Sequence, residues 1–167
     1  MPEEEPIHAG PIGPLDWLKA SPFEPAAWSD RLGWVGLEAA RCRAARAFEC
    51  SALAPTHHRL VLFTRPPDEF DLRCEGVKRN VPPPAGSISL MPAGSTARVR
   101  SSGWKDELHI WLESGLVARV ATEAFDLDPA RLTVPPLDGL NLPHLRAAMG
   151  AVDAELTTGA AGGRLAA

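Results

Sequence analysis

Hydrophobic and polar positions alternate in short runs between Leu60 and Leu112, then repeat at helical spacing beyond Ser114. Trp34, Val35, Leu37 and the Ala/Arg/Cys alternation to Ala44 predict a first strand, with a helix over the Ala-rich stretch Leu37 to Phe48 as the alternative. Leu60 to Thr64 is an apolar strand ended by Arg65-Pro66-Pro67. Glu69 to Cys74 sets Phe70 and Leu72 on one face, and Glu75-Gly76 turns the chain back along Lys78 to Val81. Pro82-Pro83-Pro84 forces an extended connector. Ser87 to Met91 is a strand that Pro92-Ala93-Gly94 stops, because proline has no N–H for a sheet ladder and glycine accepts angles other residues resist. Thr96 to Ser101 alternates, Ser102-Gly103 turns it, and Lys105 to Leu112 sets Leu108, Ile110 and Leu112 against Glu107, His109 and Trp111.

Upstream, Asp16 to Lys19 forms one helical turn anchored by Trp17 and Leu18. Downstream, Ser114 caps a helix through Leu116, Val117, Val120, Ala124 and Phe125. Leu132 to Val134 is short and extended. Pro143 opens a second amphipathic helix carrying Leu145, Ala148, Met149, Val152 and Leu156. The expected organisation is a flexible acidic, Pro-rich arm (1–14), a β-rich body with one packed helix (15–134, helix 114–125), and a C-terminal helix and tail (135–167). That is an α+β domain whose helices cover a face or edge of a curled antiparallel sheet.

Composition narrows the function. At 167 residues and 45% hydrophobic, the chain suits one domain with a packed core. A formal charge of −4 favours neither nucleic acid nor an anionic membrane surface. No apolar run approaches the roughly 20 residues of a membrane span. The start, Met-Pro-Glu-Glu-Glu-Pro, lacks the basic and apolar regions of a secretory signal, so a cytoplasmic location is expected. Cys42, Cys50 and Cys74 are odd in number and irregular in spacing, which reads as structural thiols rather than a zinc site or disulfide framework.

The run Gly86 to Gly94 has the Gly-x5-Pro-x-Gly spacing of the second cupin motif. With Glu107 to Leu112, Leu116 to Ala121 and Phe125 to Leu132, the chain resembles the N-terminal half of AraC-type transcriptional regulators from about Gly36 to Arg164. The resemblance implies a cupin-like antiparallel β-barrel or jelly roll, followed by two amphipathic helices, that binds a small organic effector and forms a homodimer. Regulators of that type read DNA through a helix-turn-helix region after this domain. No basic recognition helix is visible here, so DNA contact is expected only through a C-terminal domain this chain lacks.

Where metal-binding cupins carry a histidine, this sequence has Ala97. Adjacent His57 and His58 point to opposite faces of a strand. Neither a metal site nor a cofactor is expected, nor catalysis, since no nucleophile elbow occurs. The ligand-binding candidates are Trp111 and His109, as stacking platform and hydrogen-bonding group, with Trp34, Phe63 and Arg98 on neighbouring strands. Each has a plainer alternative: core packing for Trp111, a satisfied hydrogen bond for His109, solvent for Arg98. Leu145, Met149, Val152 and Leu156 have coiled-coil-like spacing and serve either dimerisation or cover of the barrel. The carboxylates Asp68, Glu69, Asp106 and Glu107 read as solvated turn charges. Two other readings stand beside the sensor: a stand-alone metal-dependent cupin enzyme, and a structural dimerisation module with a filled barrel.

Overall fold

The structure is a computed structural model and describes residues 11–158, with the backbone alone for 50–53. Among the described residues the elements are β1 (Pro11–Ile12), α1 (Pro14–Ala20), β2 (Glu24–Trp28), β3 (Leu37–Ala44), β4 (Phe48–Pro55), β5 (His58–Arg65), β6 (Glu69–Cys74), β7 (Val77–Arg79), β8 (Ile88–Met91), β9 (Ala97–Ser102), β10 (Lys105–Leu112), α2 (Ser114–Phe125), β11 (Leu137–Leu140) and α3 (Pro143–Thr158). Most of the arm expected over 1–14 lies outside these residues, as does the tail beyond Thr158. What is described of the arm, from Pro11, is already strand and helix.

The strands form two sheets, ordered β11-β8-β5-β10-β3-β2 and β1-β4-β9-β6-β7. From β3 to β6 the chain passes from one sheet to the other at every strand, and it does so again at β8, β9 and β10. Late β10 lies between early β3 and β5, and late β9 between β4 and β6. Such wrapping makes a double-sheet jelly roll. Local chemistry sets the corners. Glu75 and Gly76 both have positive φ, as a two-residue hairpin of matching twist requires. At Gly103 (φ +83°) the backbone is left-handed and a Cβ would meet the Asp68 side chain, so the β9–β10 turn favours glycine.

Strand β10 is buried on both faces. Its aliphatic face joins Ala39, Leu62 and Ile88 against α3, which contributes Met149, Val152 and Leu156, with Leu145 partly buried. Of the four residues named for dimerisation, Met149, Val152 and Leu156 are buried in the chain's own core and Leu145 packs against it, partly buried. Helix α2, by contrast, leaves Val120 and Phe125 exposed.

An ion-pair network clamps α3 to the sheet. Arg41 Nε donates to Asp106 Oδ1, its Nη1 donates to Asp153 Oδ2 at 2.7 Å, and Arg43 Nε donates to Asp106 Oδ2 at 3.1 Å. Burial works to raise the Asp106 carboxyl, but hydrogen bonds and charge from Arg41 and Arg43 outweigh it and hold it below its ordinary value. Asp106 is thus a structural charge and not the solvated one expected. In an Arg41→Ala, Asp153→Ala double-mutant cycle read by urea unfolding, we expect a coupling of about 1 kcal/mol, with the denaturation slope unchanged.

The two open sides of the sandwich close differently. On one, Arg79 of β7 pairs with Asp138 of β11, which also takes the Ser89 hydroxyl of β8. On the other, residues 11–28 form a strap: β1 extends the sheet of β4, β2 extends the sheet of β3, and α1 spans the seam between them.

Candidate functional site inside the barrel

The second face of β10 turns inward. Lys105, Glu107, His109 and Trp111 follow one another along it, opposite Ala44, Cys42 and Ala40 of β3. On β5 the inward residues are Arg59, Val61 and Phe63. Phe70, Leu72 and Cys74 of β6, with Ala97 of β9, supply the facing wall. The strap supplies the rest: Ile12, Trp17, Leu18 and Phe23 pack with Ala40, Cys42 and Trp111.

Four ionisable side chains are consequently enclosed. Lys105 is 0% exposed, His109 2%, Glu107 5% and Arg59 7%. Buried charge persists only when it is partnered. His109 Nε2 donates to Glu107 Oε2 at 3.0 Å. Lys105 Nζ donates to the Arg46 carbonyl at 3.2 Å and lies 5.7 Å from the Phe23 ring and 6.0 Å from that of Phe48. Arg59 lies over the Trp17 indole, its Cζ 4.5 Å from the ring centroid, and reaches Met91 Sδ. Burial lowers the Lys105 pKa, with Glu107 partly restoring it. Burial raises the Cys42 thiol well above its ordinary value, so it is an inert thiol there.

Aromatic rings wrap this cluster. The Trp17 centroid is 4.9 Å from His109, 5.7 Å from Trp111 and 5.6 Å from Phe23, and His109 stacks on Trp111 at 5.6 Å. A cavity of about 20 Å³, lined by Trp17, Arg59, Met91, Ser95, Ala97 and Val99, has room for a water molecule and little more. Trp17 thus sits among Phe23, His109 and Trp111 with little space beside it.

No protein-family model and no curated protein matches the sequence. Among solved structures, similarity is found to a Cupin 2 conserved barrel domain protein from Salinispora arenicola (20% identity, TM-score 0.43, covering 69% of this chain and 98% of that one). Others are a cupin superfamily protein from Desulfitobacterium hafniense (18%, 0.41, 55% and 75%) and the plu4264 protein from Photorhabdus luminescens (13%, 0.44, 62% and 85%). The strand order itself decides the architecture. The barrel is cupin-like. Among the described residues of this cupin-like barrel, no three His, Cys, Asp or Glu side chains are grouped to hold a metal ion. His57 Nδ1 meets Thr56 Oγ1, and His58 Nδ1 accepts the Ala93 N–H. Among the described residues no helix is long and apolar enough to cross a membrane.

The structure brings Trp111, His109 and Phe63 together inside the cupin-like barrel and places the other two candidates elsewhere. Trp34 packs on the opposite side of the sheet, with the cluster beneath α3. Arg98 lies on the outer face of β9, where its Nε donates to Glu49 Oε1 at 2.9 Å, because Ala97 and Val99 take the inward positions. Sequence reasoning missed Arg59, Lys105, Glu107 and Trp17 as site residues. The signal for two of them was present: Lys105 and Glu107 share the two-residue period of His109 and Trp111.

His109 makes a measurable pH signature. Burial lowers its pKa below the ordinary 6.5, with a hydrogen bond and charge from Glu107 only partly opposing this. The unfolded chain then binds more protons than the folded one just below pH 6.5, so stability is full above that value and falls as pH drops toward the folded pKa. His58 shifts the same way, chiefly by burial. Urea unfolding between pH 5 and 7.5 should show stability rising with pH, with a shallower slope in His109→Gln.

Proposed function

We propose that the interior of the barrel receives a small organic effector, and that the chain is the sensing domain of an AraC-type transcriptional regulator, not an enzyme. The enclosed cluster of Arg59, Glu107, His109 and Lys105, walled by Trp17, Trp111 and Phe23, carries the ligand-binding half. A barrel needed only for stability is filled with aliphatic side chains, since burying charge costs free energy that apolar packing avoids. Convergent polar groups in an apolar, aromatic enclosure are what small-ligand sites require. The regulatory half rests on the sequence resemblance from Gly36 onward.

The cavity beside Trp17 is only water-sized, so a guest that takes this place enters by displacing a side chain. The central strands are held by ladders on both sides, whereas Trp17 rides on a seven-residue helix whose flanking strands, the two-residue β1 and the five-residue β2, are each paired on one side only. The strap is thus the element that yields. An effector that favours the open seam shifts the strap by its difference in affinity for the two arrangements, and a helix-turn-helix partner would read that shift. A homodimer of such a regulator is expected to use a surface other than the α3 stripe, most of which packs on the barrel.

A thermal-shift screen with small aromatic acids, amides, phenols and sugars tests the reading. A ligand at a hundred times its Kd is expected to raise Tm by about 5–10 °C. Fusing the chain to a helix-turn-helix domain should make a reporter respond to the same ligand. A screen without hits overturns the sensor reading, and stoichiometric iron, zinc or manganese in the purified protein would favour the metal-enzyme alternative.

A further inference from the structure

His109 holds a polar atom that nothing in the described barrel satisfies. Its Nε2 faces Glu107 Oε2, and a carboxylate only accepts, so Nε2 carries the hydrogen. Burial keeps the imidazole neutral, which leaves Nδ1 as a bare lone pair. Nδ1 is enclosed and has no hydrogen-bond partner among the described residues. Folded proteins seldom leave such an acceptor unmet, because it has given up water and gained nothing.

The groups around it are flat. His109 and Trp111 stack with 23° between their planes, Phe23 meets His109 edge-on at 5.3 Å, and the Arg59 guanidinium lies over the indole of Trp17. Trp17 fills this slot with the chain's own planar N–H-bearing ring, yet His109 Nδ1 receives no hydrogen bond from it. It matches the shape of the slot and leaves its polar requirement open. The water-sized cavity beside Trp17 gives the ring room to begin moving.

We infer that the guest is a planar aromatic molecule bearing a hydrogen-bond donor, a phenol or an N–H heterocycle, which takes the place of the Trp17 indole and donates to His109 Nδ1. This rests on the barrel interior being a ligand site. The guest lies beneath Arg59 in the space Trp17 vacates, tilted so that its donor reaches the plane of the imidazole, where the Nδ1 lone pair points, and the strap, deprived of its anchor, leaves the seam.

Matched probes test it: indole against 1-methylindole, and phenol against toluene, titrated calorimetrically into wild type and Trp17→Gly. Trp17→Leu serves in the same way if the glycine variant does not fold. In the Trp17 variant, indole and phenol are expected to bind about tenfold more tightly than their donor-less partners, as one hydrogen bond to a buried acceptor provides. Adding His109→Phe, which keeps the flat ring and removes the acceptor, should erase that difference. Equal affinities within each pair would overturn donor recognition while leaving the barrel a ligand site. Binding of sugars or aliphatic acids with no aromatic bound would overturn the guest class alone. No binding by any small molecule to any variant would overturn both this inference and the sensing role.

Discussion

Trp17→Ala is expected to lower the free energy of unfolding by about 3–5 kcal/mol, the range for removing a large aromatic from a packed core. Trp17 is 5% exposed and touches Phe23, His109 and Trp111. Two losses combine: the ring's transfer from water, and the void it leaves, which merges with the cavity already beside it. The strands on either side of the seam, β3 and β4, resist shifting inward to fill that void, since their register is fixed by β10 and β9. Leu15, on the outer face of the same short helix and 49% exposed, is the control: Leu15→Ala should change stability by less than about 0.5 kcal/mol. Urea unfolding followed by circular dichroism measures both. A loss below about 1 kcal/mol for Trp17→Ala would mean that the strap does not dock in solution.

Met149→Ala should cost about 2–5 kcal/mol. Its side chain is 1% exposed and wedges into Leu108, Ile110 and Ile88 beneath α3. The same variant separates the two roles of the α3 stripe. If the stripe covers the barrel, stability falls and the elution volume on size exclusion is unchanged. If the variant keeps its stability and elutes as a smaller species, the stripe joins two copies instead.

The sequence exposed the middle of the fold well. Strands β5, β6, β8, β9 and β10, the Glu75-Gly76 hairpin, and both C-terminal helices lie within a few residues of their expected positions, because alternation and punctuation are local properties. What escaped was non-local. Strand β2 contains Pro25 and two alanines and reads as a loop, yet an edge position accepts a proline whose missing N–H faces outward. Strand β3 lies in the Ala-rich stretch that also suits a helix, β4 carries no clear alternation, and β11 exists only as a short partner for β8. Near Lys105 and Glu107, alternation shows which residues share a face but not whether that face meets water. Glu107 reads as a solvated turn charge although it shares a face with His109 and Trp111, because nothing local marks that face as enclosed. Arg98 and Trp34 erred in the other direction: chemically suitable groups sit on the outer sides of their sheets. Trp17 was legible as an anchor, but what it anchors to lies about ninety residues away.

That separation gives the strap a history during synthesis. Residues 11–28 leave the ribosome before the strands they pack against, and Trp111, against which Trp17 packs, follows only after the intervening strands have been made. At usual translation speeds the wait is roughly 5–20 s. Trp17, Leu18 and Phe23 spend that interval as uncovered apolar groups on a nascent chain, a natural foothold for chaperones, and the seam they close shuts only after β10 has been made.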